Sequence, residues 1–200
     1  MSKITAAITA VGGYVPDYVL SNQILETMVD TNDEWITART GIKERRILKD
    51  KDKGTSFLAI QAAKDLLKKN NTDPKEIDMI VMATATPDMP VAVTGSYVAT
   101  QIGAENAFSY DLMAACSSFL FGMSVAAKYI ESGRYKKVLL IGADKMSSII
   151  DYKDRTTCII FGDGAGAVLF EPNYEGFGVQ DELLRTDGSG RESLKIDAGG

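Results

Sequence analysis

Short apolar, β-branched runs alternate along this chain with segments whose apolar residues recur at helical spacing. Ile4 to Val11 is such a run and ends at Gly12-Gly13, which reads as a turn. Asn22 to Val29 patterns as a helix behind Ser21, whose hydroxyl can accept from the first free N–H groups. Thr55 to Asn70 is the clearest amphipathic helix. Phe57 or Leu58, Ile60, Ala63 and Leu67 fall at helical spacing, and lysines gather at its C-terminal end, where the helix dipole favours cations. A strand from Ile77 runs out at Pro87, and Val91 to Ile102 follows as a helix closed by Gly103. A buried strand over Ala107 to Ala115 leads into Cys116. Ser117 onward reads as a helix stopped by Gly133, and Lys136–Met146 and Cys158–Pro172 read as two more strands. Strands that are apolar throughout and separated by helices predict an α/β fold, its mainly parallel sheet covered by helices on both faces.

Composition narrows this. The chain has 200 residues, 45% apolar and 24% charged, enough for one or two domains with a sizeable core. No apolar run approaches the roughly 18 residues of a membrane span, and the N-terminal MSKITAAITAVGGYVP fits a secretory signal poorly. Two cysteines, Cys116 and Cys158, make no disulfide framework. Free thiols favour a reducing compartment, so a cytoplasmic protein is expected. A net charge of −5 argues against a strongly basic nucleic-acid-binding domain. The segment Leu183–Gly200 is polar and glycine-rich and stops without a closing element, as a frayed terminus or a piece of a longer protein would.

The sequence contains no histidine. That removes the commonest general base and every complete Ser-His-Asp or Cys-His arrangement. With only two cysteines as soft ligands, no zinc site of the usual kind, and no metal, is expected. Cys116 is the candidate nucleophile. It stands where an apolar run gives way to a helical one, so the helix dipole and free N–H groups would favour its thiolate. The small neighbours Ala114, Ala115, Ser117 and Ser118 leave room for a substrate. The alternative is a small buried hydrophobe, which is how Cys158, inside Cys158–Phe161, is read. Gly162-Asp163-Gly164-Ala165-Gly166 lacks the spacing and the following helix of a dinucleotide loop, so its glycines are assigned to close backbone packing beside a site. Trp35 is the only tryptophan. It is a core residue or, with Arg39 near, a platform for an aromatic base. Between Arg39 and Lys53 seven basic residues face three acidic ones; this is a solvated loop or a receiver for an anionic, phosphate-bearing ligand.

The motifs Asp30-Thr31-Asn32-Asp33-Glu34-Trp35-Ile36, Arg39-Thr40-Gly41-Ile42-Lys43-Glu44-Arg45-Arg46, Asp111 to Phe119 around Cys116, Asp154-Arg155-Thr156 and Phe161 to Ala167 occur in this order. Together they closely resemble β-ketoacyl-acyl carrier protein synthase III, over essentially the whole chain. The resemblance implies a thiolase-like fold of two similar αβαβα-type halves. Residues 1–175 would form the N-terminal thiolase-like domain, and 176–200 would begin the connection to a second, C-terminal half. It implies that Cys116 takes an acyl group from acyl-CoA, and that decarboxylative condensation with malonyl-acyl carrier protein then yields a 3-ketoacyl product. Trp35 and Arg155 would hold the CoA adenine, with Thr31 and Arg39 on the same cofactor region. Phe161 would sit near the nucleophile, and Met146 and Pro90 near the acyl pocket or a dimer contact. Coenzyme A thioester is then a substrate and no cofactor is tightly bound. A homodimer is implied, with a histidine and an asparagine of the second half completing the catalytic set. Lys43 departs from the pattern, standing where arginine is common. Another thiolase-fold acyl-transferring or condensing enzyme, or a non-catalytic scaffold half, are the alternative readings.

Overall fold

A computed structural model describes residues 4–196. From the N-terminus the elements are β1 (Thr5–Tyr14), β2 (Tyr18–Ser21), α1 (Asn22–Leu25), α2 (Asp33–Thr40), β3 (Glu44–Ile47) and α3 (Thr55–Asn70). They continue with β4 (Met79–Ala83), α4 (Thr94–Ile102), β5 (Phe108–Leu112), α5 (Ser118–Glu131), β6 (Val138–Lys145) and β7 (Asp163–Asn173). One five-stranded sheet has the order β1-β7-β6-β4-β5, and β2 pairs with β3 as a separate antiparallel ribbon. β4 is parallel to both of its neighbours, and β7 is antiparallel to β6 and β1, so β7 alone runs against the others. The expected α/β, mainly parallel architecture is borne out, with that one reversal.

Alternation along the strands divides the core in two. Ile80 and Met82 of β4 and Leu139 and Ile141 of β6 face α3 and α4, packing on Leu58, Leu66, Val98 and Ile102. Met79 and Val81, with Val138 and Leu140, face α5 and pack on Ala126, Ala127 and Ile130. Period-2 side-chain direction makes this partition, and a one-residue slip would invert it. A fully buried leucine such as Leu140 contributes about 1.5–3 kcal/mol by removal from water. A third cluster of Leu20, Leu25, Ile36, Ile47, Cys158 and Ile159 lies beneath the β2–β3 ribbon and α2. Among the described residues no helix is long and apolar enough to cross a membrane.

Several local expectations are corrected. β1 does not turn at Gly12-Gly13 but continues to Tyr14; a Cβ on Gly12 would lie 2.5 Å from both the Ala62 carbonyl oxygen and the Leu66 nitrogen. That glycine is therefore there for the close approach of α3 to the sheet. Helix α1 is shorter than the Asn22–Val29 pattern, although Ser21 caps it as expected, its Oγ accepting from Ile24 N at 3.3 Å. α4 starts at Thr94 rather than Val91, because the Asp111 carboxylate accepts from Thr94 N and Gly95 N at 2.8 Å each and fixes the first turn there. β5 is half-exposed rather than buried, since it forms the edge of the sheet. The apolar run Cys158–Phe161 is not strand: residues 158–160 belong to turns and β7 begins at Asp163. Helix α3 matches its predicted bounds. Its N-cap Gly54 has no side chain, and Asp88 supplies the missing acceptor, taking Ser56 N at 2.9 Å.

Candidate active site

Cys116 stands at an elbow between β5 and α5. Ala115 just before it has φ +48°, and residues Ala115–Ser117 form a single 3-10 turn running into the helix. A left-handed alanine costs on the order of 1–2 kcal/mol. The conformation persists because both flanks are fixed: β5 is laddered to β4, and Ser118 Oγ accepts from Ala114 N at 2.6 Å. The elbow leaves Cys116 exposed, whereas Cys158 is buried and its thiol is pushed up, first by burial and then by Asp154. Two glycines seat α5 on the sheet. A Cβ on Gly122 would meet Leu140 Cδ1 at 2.5 Å, and one on Gly142 would meet Phe119 Cδ2 at 2.8 Å.

A cleft of about 340 Å³ opens in front of the elbow. Cys116, Ser118 and Phe119 form one wall; the last residue of β4, the end of β6 from Gly142 to Asp144, and Gly164 to Gly166 of β7 form the rest. This is the carboxyl end of the parallel strands, where open α/β sheets leave a crevice. Met146 lines the cleft; Phe161 is half-buried and does not, although the adjoining Gly162 does. Pro90 is exposed in the loop after β4. The glycines of the Gly-Asp-Gly-Ala-Gly segment all line the cleft, but only Gly162 is closely packed, a Cβ there lying 3.0 Å from Arg45 Cβ; Gly164 would make only ordinary contacts and Gly166 faces open space. Asp163 between them is a brace. It is buried and accepts from Leu48 N and Ser147 N at 2.8 Å each and from Ser147 Oγ at 2.6 Å.

Sequence reasoning missed Asp144. Its Oδ1 accepts from Thr84 Oγ1 (3.0 Å), Ala85 N (2.8 Å), Thr86 N (3.0 Å) and Thr86 Oγ1 (2.9 Å), tying the loop after β4 to the end of β6 beside the cleft. The available signal was an acid near the end of an otherwise apolar strand.

A second constellation forms around Trp35. Asn32 caps α2, its Oδ1 accepting from Trp35 N at 2.7 Å, and Gly41 closes the helix with φ +73°. Arg39, one turn after Trp35, places its guanidinium carbon 4.2 Å from the indole centroid, and Arg155 places its own at 4.8 Å. Arg155 pairs with Asp30 at 3.3 Å. It is carried by a turn that Asp154 organises, accepting from Thr156 N (2.9 Å), Thr156 Oγ1 (2.6 Å) and Thr157 Oγ1 (2.6 Å). Those bonds, that from the Thr156 side chain first, hold the Asp154 carboxyl below the ordinary carboxylate range. Thr31, just ahead of the cap, has a buried Oγ1 with no partner among the described residues. Trp35, Arg39 and Arg155 are thus brought together. None of them lines the Cys116 cleft.

The basic stretch is neither a uniformly solvated run nor a single anion receiver. Arg39 faces Trp35, Lys43 pairs with Asp33 at 3.5 Å, Lys49 lies 4.2 Å over the Tyr18 ring, and Arg45 is buried. Among the described residues no group of three or more His, Cys, Asp or Glu side chains is placed to hold a metal ion.

The comparisons with known proteins converge. A family profile described as 3-oxoacyl-[acyl-carrier-protein (ACP)] synthase III matches residues 110–188, which carry Cys116, Arg155 and the glycine-rich segment. A β-ketoacyl-[acyl-carrier-protein] synthase III of Bacteroides thetaiotaomicron is 54% identical over 200 residues, covering 100% of this chain and 60% of the relative. The crystal structure of the β-ketoacyl-[acyl carrier protein] synthase III of Thermus thermophilus superposes with a TM-score of 0.92 at 40% identity, over 97% of this chain and 60% of that one. The 3-oxoacyl-[acyl-carrier-protein] synthase III of Aquifex aeolicus gives a TM-score of 0.80 at 46% identity, over 83% of this chain and 53% of that one. The chain spans about 60% of the length of the curated relatives it matches. With the elbow cysteine and the glycine-lined cleft in hand, these comparisons show that the chain is similar along its whole length to β-ketoacyl-[acyl-carrier-protein] synthase III enzymes.

Proposed function

We propose that this chain carries the nucleophilic part of an initiating fatty-acid condensing enzyme, an acyltransferase. Cys116 Sγ attacks the thioester carbonyl of an acyl-CoA; the new Sγ–acyl bond forms as the bond to CoA sulfur breaks, and the departing CoA takes the thiol proton. Malonyl carried on acyl carrier protein then loses carbon dioxide. The resulting carbanion attacks the Cys116 thioester, giving 3-ketoacyl-acyl carrier protein and the free cysteine. The histidine that the family resemblance assigns to decarboxylation is absent from these 200 residues. This chain's part is therefore acyl capture, and the condensation step draws on a second half of the same enzyme. CoA enters as substrate, not as a resident cofactor.

Trp35 and Arg155 are proposed to hold the adenine, with Arg39 and Thr31 on the same region of the CoA. The unpartnered Thr31 hydroxyl supports this, because a buried hydroxyl without a partner is costly and a ligand oxygen would satisfy it. Met146 lies along the acyl group, with Phe161 behind Gly162. A cytoplasmic homodimer is the accompanying reading, residues 1–175 being the thiolase-like unit and 176–200 the start of the connection.

The observation that carries the proposal is the exposed Cys116 on a left-handed elbow at the mouth of a helix, facing a cleft lined by small residues. Incubation with acetyl-CoA followed by intact mass spectrometry tests it. One acetyl group is expected on the chain and none on Cys116→Ala. Equal labelling of both, or no acylation while iodoacetamide still modifies Cys116, would overturn it.

A further inference from the structure

Trp35 and Arg155 come from elements far apart in sequence, and the fork of one buried arginine joins those elements. Arg45, on β3, is 4% exposed, and among the described residues no carboxylate is one of its hydrogen-bond partners. Its Nε donates to the Ile159 carbonyl at 3.1 Å, and Nη2 donates to the same oxygen. Nη1 donates to Asn22 Oδ1 at 2.7 Å and to the Leu20 carbonyl at 3.4 Å. Asn22 is fully buried and passes the connection on, its Nδ2 donating to Asp33 Oδ1 at 2.7 Å and to the Ile42 carbonyl at 2.8 Å. Asp33 is the first residue of α2, the helix that presents Trp35. Ile159 closes the turn in which Cys158 N donates to the Asp154 carbonyl at 3.0 Å, the turn that presents Arg155.

A guanidinium buried on neutral carbonyls is an expensive way to fill this cluster. An apolar side chain of similar volume would serve packing better. What an apolar residue cannot supply is a planar fork whose donors reach two elements in fixed directions. We propose that Arg45 and Asn22 are positioning residues for nucleotide recognition, a buried brace that fixes α2, which carries Trp35, against the turn that carries Arg155. This inference rests on the reading of those two side chains as the adenine clamp.

The sole tryptophan provides the readout, since fluorescence excited at wavelengths that tyrosine does not absorb reports the clamp alone. Arg45→Lys keeps the charge and loses the fork; Asn22→Ser cuts the link to α2 and leaves both Arg45–Ile159 bonds in place. Three quantities are measured in the chain and in each variant: fluorescence titration with CoA, acrylamide quenching of Trp35, and Cys116 acylation by acetyl-CoA against acetylpantetheine, a thioester without the nucleotide. Both variants are expected to weaken CoA binding at least tenfold and to raise acrylamide quenching. Both should also bring the two acylation rates together. Wild-type CoA affinity in the variants, or an equal slowing with both thioesters, would overturn the brace. If Arg45→Lys does not melt cooperatively, Asn22→Ser decides. If the unsubstituted chain gives no response to CoA, the clamp reading fails and the nucleotide role of the brace fails with it, whereas CoA binding by the unsubstituted chain with unchanged acrylamide quenching in Asn22→Ser overturns the brace alone.

Discussion

The guanidinium of Arg155 lies 4.8 Å from the centroid of the Trp35 ring, close enough for direct contact and too close for a planar base to lie between them. Two successive contacts of about 3.5 Å would require about 7 Å. Adenine can therefore enter only as Arg155 withdraws from Trp35, and its pair with the fully exposed Asp30 side chain, at 3.3 Å, offers little resistance. Trp35→Ala and Arg155→Ala should each weaken CoA binding about tenfold, on the scale of one cation–π or stacking contact. Asp30→Ala should leave binding unchanged or tighten it. Calorimetric titration separates these outcomes, and a loss with Asp30→Ala equal to that with Trp35→Ala would count against the withdrawal.

The two cysteines should differ sharply toward alkylating reagents, because Cys116 is exposed and Cys158 is buried with its thiol pushed up by that burial. One equivalent of iodoacetamide should add rapidly to the folded chain and the second only on unfolding. In Cys116→Ala the rapid equivalent should disappear. A rapid second equivalent under native conditions, read by intact mass, would contradict the packing of Cys158.

Gly12→Ala should be among the more damaging of small changes. Its Cβ would meet backbone on α3, at 2.5 Å from Ala62 O and from Leu66 N, so neither partner can yield by rotating a side chain. Overpacking of this kind costs typically about 1–3 kcal/mol. Gly13→Ala, whose nearest contact would be Ala165 O at 3.6 Å, is the control and should be much milder. Urea titration of the pair gives the comparison, and similar midpoints would return Gly12 to an ordinary position.

Acid should loosen α2 and the Arg155 turn. Asp33 is held below the ordinary carboxylate range first by the Asn22 amide and then, against desolvation, by Lys43; Asp154 is held low chiefly by its Thr156 and Thr157 hydroxyls. A carboxylate depressed in the folded state contributes stability that is complete above its unfolded value, about 3.9, and is lost as pH falls through the lower folded value. Melting temperature should thus change little on acidification until about pH 4 and fall below it. Asp33→Asn should flatten that fall. A variant as acid-sensitive as the parent would exclude Asp33 from the effect.

The ends of α3 and the location of β4 and β6 were readable in the sequence, since period and caps there are local properties. The reversal of β7 was not, because an apolar run buried on both faces carries no sign of its direction. Gly12 illustrates a second limit: a glycine needed for a turn and one needed beneath a helix look alike until the helix is in place. Cys116 could be found from its position between a strand and a helix. The grouping of Trp35 with Arg155 came from resemblance to a family, not from spacing. Arg45, Asn22 and Asp144 escaped notice for one reason, that a buried polar side chain takes its meaning from partners distant along the chain, such as Ile159, Asp33 and Thr86.

The borrowed cap of α3 has a kinetic consequence. Ser56 N is satisfied by Asp88, which lies beyond β4, so the first turn of the strongest helix is incomplete until that strand and its loop have docked. The order of folding is then set within one helix: its C-terminal turns, with Asp65 and Lys69 paired at 2.6 Å, form from local contacts, while its N-terminal turn waits for a loop closure. In pulsed hydrogen exchange during refolding, amides near Leu67 should gain protection before Ser56 does, and simultaneous protection would show that the cap is not needed to start the helix.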